Sequence, residues 1–209
     1  MTAIRLQQRG LIRRQAMLEA ATALFMEQGY ERVSLSDILE RSGGSRTMLY
    51  AQFGNKEGLL RAIIERAIAR TWQALDVDPV PALGAEAALR ELGRRFLDAV
   101  LADDAIATYR IITAEAHRVS GIADFFFDLG PRRFQGRLTS WFRAAARAGM
   151  LQADDPDGLA RVFIGGVLGD LHLRRVLGLV DGYTEAEIEA HLRMVIATFT
   201  SGVLRRAGA

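Results

Sequence analysis

The chain has 209 residues, 50% of them hydrophobic, 25% charged and 8% aromatic, which is enough apolar material for a full-sized core and rules out a disordered tail protein. With no cysteine, disulfides, thiolate zinc sites, iron–sulfur clusters and a thiol nucleophile are excluded, and a reducing, cytoplasmic compartment fits. The formal net charge of +2 hides an asymmetry, because residues 1–70 carry ten Arg and one Lys against seven acids while residues 71–209 carry 16 Arg against 18 acids. A polyanion partner is therefore expected for the N-terminal part alone.

The first 15 residues, MTAIRLQQRGLIRRQ, hold Arg5, Arg9, Arg13 and Arg14 without an apolar stretch, so they read as a basic arm and not as a secretory signal. The longest uncharged apolar-rich run, residues 195–204, falls short of the roughly 18 residues of a membrane span, and no membrane partner is expected. Strand alternation persists nowhere, whereas helical spacing recurs, so the fold class expected is all-α with about nine helices.

In the first helix, Met17, Ala20, Ala21, Leu24 and Phe25 share one face, and Gly29 offers a stop. Ser34 followed by Asp37 forms a capping arrangement for a short second helix that ends at Gly43-Gly44. Ser45 can cap a third helix of about two turns, and Asn55 with Glu57 can open a fourth. Residues 76–84, with Pro79 and Pro81, look like a connector, and a boundary is expected near residue 70. Beyond it, helical patterns cover 85–102, 104–118, 121–148 with a break at Gly130-Pro131, 156–180, and 184–206 opened by a Thr184/Glu187 capping box.

Helix, tight glycine turn, short helix over residues 34–60 is helix-turn-helix grammar. At about 100° per residue, Arg46, Thr47 and Tyr50 fall on one side of the third helix and Met48 and Leu49 on the other. Phe53 would return to the Arg46 side, so the helix is expected to end near Gln52 and turn Phe53 into the core. The free face fits a major groove, where Arg46 can donate two bonds to guanine, Thr47 can meet a thymine methyl or a base edge, and Tyr50 can reach a phosphate. Ser34 and Ser45 cap helix starts whose amides favour anions. Lys56, the only lysine, sits in the first turn of the fourth helix, where a cation is unfavourable unless it reaches for an anion.

The spacing of Ala20-Ala21, Leu24-Phe25, Gly29-Tyr30, Ser34, Asp37-Ile38, Gly43, Ser45, Leu49-Tyr50, Phe53, Lys56-Glu57 and Leu60 resembles that of the tetracycline-repressor-like (TetR) family over residues 13–60. The resemblance implies an N-terminal three-helix helix-turn-helix domain (1–70) followed by a ligand-binding and dimerisation helical bundle (71–209). It also implies a homodimeric regulator of a palindromic double-stranded operator, usually a repressor released by a small molecule. By matching positions, Ser45, Arg46, Thr47 and Tyr50 would contact DNA, with Ser34 and Lys56 on phosphates. Gly44 departs from the family, which more often has a branched apolar residue there.

In residues 71–209 the resemblance makes the polar and aromatic positions Trp72, Phe96, Tyr109, His117, Phe126, Phe127, Phe134, Trp141 and His172 candidates for the lining of a pocket for a small apolar or aromatic effector, with core packing the preferred reading for aromatics at helical spacing. Phe125, Phe126 and Phe127 spread round most of a helix, so at least one must leave the core. His117, His172 and His191 lie on three different helices, and neither a metal nor a cofactor is expected. Gly165, Gly166 and Gly169 give one helix a smooth side, and Leu192, Val195, Ile196, Phe199 and Val203 give the last an apolar stripe. Both features could simply close the subunit, whereas the resemblance implies that these last two helices meet their two-fold mates, so Gly166, Gly169, Leu192, Val195 and Phe199 are candidates for a dimer interface. No catalytic residue is expected, since G-x-S-x-G, a phosphate-binding glycine loop and His-rich metal spacing are all missing from the sequence. A carrier or enzyme that uses the helix-turn-helix only as scaffold, and an architectural DNA protein, are the alternatives.

Overall fold

The computed structural model describes residues 2–75 and 84–201, with the backbone alone given for residues 2–7 and 74. The connector expected at 76–84 therefore lies, Gly84 apart, outside the described residues, as does Val203. Among the described residues eleven helices and no strand occur: α1 (Thr2–Gln28), α2 (Leu35–Ser42), α3 (Arg46–Phe53), α4 (Lys56–Leu75), α5 (Gly84–Val100), α6 (Asp103–Glu115), α7 (Ile122–Leu129), α8 (Pro131–Arg147), α9 (Pro156–Leu168), α10 (Leu171–Val176) and α11 (Glu185–Phe199). The all-α expectation holds, with a count of eleven in place of about nine. The basic N-terminal stretch is the start of α1, because Ala, Leu, Gln and Arg are good helix formers and no proline interrupts them.

The extra break falls at Gly169, which takes φ +47° and ψ −135° at the end of α9. That backbone is open to glycine and closed to most L residues. The pattern expected as one helix over 156–180 is accordingly two.

Two compact units emerge, one made of residues 1–67 and 107–126 and the other of 68–106 and 127–209. The first holds the helix-turn-helix on a core of Met17, Leu18, Ala21, Ile38, Leu49, Leu59, Leu60, Ile63 and Ile64, all fully buried or nearly so. The chain-order reading, with one cut near residue 70, did not foresee that most of α6 and the start of α7 pack with it. In the second unit α8 packs chiefly on α9, and α11 on α5 and α9. Its core centres on Phe142, Phe163 and Phe199, whose rings meet at 5.4–6.4 Å between centroids.

Candidate nucleic-acid interface

Each end of the short helices is held by side chains chosen for it. The Ser34 hydroxyl accepts from the Asp37 amide at 3.2 Å while the Ser34 amide donates to the Asp37 carboxylate at 2.7 Å. These bonds hold the Asp37 carboxyl below the usual carboxylate range. Gly43, at φ +69°, ends α2 with its amide donating to the Leu39 carbonyl. Two residues on, Ser45 accepts from the Met48 amide at 3.2 Å and starts α3. Arg41 of α2 donates to both oxygens of Glu27 on α1 at 2.7 and 2.9 Å, tying α2 to the longer helix. The turn between α2 and α3 is thus three residues long, Gly43 to Ser45, and closed at both ends.

α3 then shows two unlike faces. Leu49 is wholly buried and Phe53 is 7% exposed, with the Arg14 guanidinium 5.3 Å over the Phe53 ring. Phe53 is the last residue of α3, one past the expected end. Ser45, Arg46, Thr47 and Tyr50 are all exposed, Tyr50 at 56%. Arg46 donates through Nη2 to the Ser36 hydroxyl at 3.0 Å, an exposed bond that a better acceptor can replace. Ser36 escaped the sequence reading, although it stands two residues after Ser34 on the exposed side of α2. Ser34 is also exposed, at the N-terminus of α2.

Lys56, expected on a phosphate, also has partners within the chain. Its ammonium donates to the carbonyls of Tyr30, Glu31 and Val33 at 3.0, 3.2 and 3.2 Å and lies 4.4 Å over the Tyr30 ring. An ammonium has three protons, and all three are given to the turn that precedes α2. The cation at this helix start is therefore held by the negative ends of the protein's own carbonyl dipoles.

Of the positions expected to line a pocket, Trp72, Phe96 and Phe134 come together in one cluster of the second unit, the Phe134 ring lying 4.3 Å from Phe96 and 6.5 Å from Trp72. Phe96 and Phe134, 8% and 6% exposed, stack on each other within the core. The Trp72 indole donates to the Leu129 carbonyl at 3.1 Å, with Arg133 and Arg137 over its ring. Trp141 meets Phe142 edge-on at 5.2 Å. His172 is half-buried, and burial pushes its pKa down. In the first unit Tyr109 packs edge-on against Phe126 at 5.9 Å. His117 is exposed and so is no pocket group. Of the three adjacent phenylalanines, Phe127 is the one that leaves the core, at 48% exposure with Arg132 over its ring.

The expected interface residues need correction as well. Leu192 and Phe199 are core residues of one subunit, 0% and 7% exposed, so they have no surface left to offer a partner. Val195 packs on that core, and a Cβ at Gly166 would stand 3.3 Å from its methyl. Gly166 thus serves the approach of α11 to α9, whereas a Cβ at the exposed Gly165 would meet nothing within 4 Å. At Gly169 a Cβ would come 2.8 Å from the His191 ring, whose Nε2 lies 3.1 and 2.9 Å from the Gly166 and Val167 carbonyls. Among the described residues of this unit the most exposed large apolar side chains are others: Val162, Leu173, Leu177, Leu179 and Met194, each at least 57% exposed. The repeat Leu173, Leu177 at i, i+4 was the available signal. Among the described residues no three His, Asp or Glu converge as metal ligands, and no helix is long and apolar enough to cross a membrane.

Comparison with known proteins bears on this geometry. The family model described as "Bacterial regulatory proteins, tetR family" matches residues 17–63, and that described as "AefR-like transcriptional repressor, C-terminal domain" matches residues 87–201. The chain belongs to the TetR family. This regulator is 49% identical over 57 residues to the HTH-type transcriptional repressor ComR of Escherichia coli (strain K12), a match that spans 27% of either chain. To the HTH-type transcriptional regulator BetI of Rhizobium meliloti (strain 1021) it is 27% identical over 194 residues, 87% of this chain and 90% of BetI. Among solved structures, the flavonoid-responsive regulator FrrA superposes with a TM-score of 0.78 at 32% identity, over 93% of this chain and 98% of that one. The chain is accordingly a DNA-binding transcriptional regulator, and the two-faced α3 lies within the region that the N-terminal family model matches.

Proposed function

We propose that this regulator acts as a homodimeric repressor of a palindromic operator, beside the DNA in the cytoplasm, and that a small apolar or aromatic effector releases it. The observation that carries the proposal is the outer face of α3, where Ser45, Arg46, Thr47 and Tyr50 stand exposed on a helix whose opposite face is anchored by Leu49 and Phe53. Such a helix enters a major groove and offers Arg46 to a guanine edge. One short helix reads few bases, so specificity requires a second copy. The exposed Val162, Leu173, Leu177, Leu179 and Met194 on and beside α9, α10 and α11 supply apolar surface for that copy to cover. The effector class draws support from the likeness to FrrA, which is described as flavonoid-responsive.

Selection of bound duplexes from a random library tests this reading without knowledge of the regulated gene. The expected product is a two-fold symmetric motif whose half-site centres lie about 34–36 Å apart, or a multiple of it. An asymmetric motif, or no enrichment, would overturn it.

A further inference from the structure

A cavity of about 320 Å³ lies in the first unit between the end of α1 and α6, walled by Phe25, Tyr30, Ile111 and Ala114 with Arg110 and Glu115. Met26, at 37% exposure, and the exposed Ala114 flank its opening. Its volume is within the range of small-molecule sites. The aromatic pair Phe25 and Tyr30 meets edge-on at 5.1 Å. None of the residues expected to line an effector pocket belongs to it.

Glu115 sets its chemistry. The residue is 3% exposed, and Oε2 is buried without a hydrogen-bond partner. Oε1 has only Arg118 Nη1 at 3.8 Å, beyond hydrogen-bond reach, and that arginine side chain is 64% exposed. A buried carboxylate oxygen without a donor is costly and rare, and such a group calls for a partner. An ammonium supplies both the missing proton and the opposite charge. The apolar walls accept a hydrocarbon or aromatic body.

We propose that this cavity binds a small organic ammonium with an aromatic or apolar body, its N–H donating to the Glu115 carboxylate and its body lying against Phe25 and Tyr30. Tyr30 gives such a ligand leverage on the reading head. Its ring carries the Lys56 ammonium, which holds the carbonyls of residues 30, 31 and 33 immediately before the Ser34 cap of α2. The site itself is independent of the effector proposed above. Only its effect on DNA affinity rests on the regulator reading.

Calorimetric titration of the full chain with 2-phenylethylammonium, and with the neutral 2-phenylethanol as control, tests the site. Saturable binding of the ammonium is expected, weakened about tenfold or more in Glu115→Gln, with the alcohol held no more tightly by the wild type than by the variant. Ala114→Trp, at an exposed position, should block the opening and abolish binding while leaving the thermal melt unchanged. This second variant decides the matter if Glu115→Gln does not fold. Absence of saturable ammonium binding to the wild type, equal affinity in wild type and Glu115→Gln, or binding that survives Ala114→Trp would each overturn the proposal.

Discussion

Lys56 shows how a residue's role turns on partners that spacing along the chain does not display. Its ammonium joins three carbonyls 23 to 26 positions earlier in the sequence, so its neighbours at i±3 and i±4 gave no sign of them. Lys56→Met keeps the stem and removes the donors. Its stability, read from a denaturant midpoint, should fall by about 2 kcal/mol, the value of a few charge-assisted bonds on partly exposed acceptors. The salt slope of DNA binding should stay where it is. Unchanged stability with a slope reduced by about 1 would return Lys56 to a phosphate. Arg46, Thr47 and Tyr50 were legible for the opposite reason, since the angle between them and Leu49 follows from helix geometry alone. Glu115 was not legible, because only the packing of α6 shows that one of its oxygens has no donor.

At the scale of elements, local signals placed the helices well wherever a cap or a break announced them. Ser34 with Asp37 and Thr184 with Glu187 form the capping boxes that their spacing implied. Gly169 was taken for a helix-interior residue because a glycine inside a helix and one at its end look alike in sequence, and only its positive φ tells them apart. Gly44, where the family more often has a branched side chain, is compensated from α1. A Cβ there would stand 2.2 Å from the terminal methyl of Met17, which is fully buried and fills the space. Gly44→Val alone should therefore cost about 1–3 kcal/mol by overpacking. Met17→Ala alone should cost about 2–5 kcal/mol by opening a cavity. Combined, the two should cost at least about 1 kcal/mol less than their sum in a thermal or denaturant cycle, because each relieves the other's defect. Strict additivity would show that Met17 does not occupy the missing side chain's place.

For the molecule as a whole, the excess of Arg in residues 1–70 and the exposed face of α3 point the same way, toward a phosphate backbone read by the first unit. Composition could show the charge but not the grouping of 107–126 with that unit, since tertiary packing leaves no periodic mark. The same limit applied to the interface. Periodicity found an apolar stripe on α11, but Leu192 and Phe199 in it are consumed by the subunit core, and the uncovered apolar residues lie mostly off that stripe.

Arg46, on the outer face of α3, is the residue proposed to read a base. Fluorescence anisotropy of wild type and Arg46→Ala on a selected duplex and on a scrambled one, at three salt concentrations, addresses it most directly. The wild type should prefer the selected duplex by about 10³-fold or more, with log K linear in log salt. Arg46→Ala should lose about ten- to a hundredfold of that preference while retaining most of its affinity for the scrambled duplex. Equal losses on the two duplexes would contradict base reading and leave Arg46 a backbone contact.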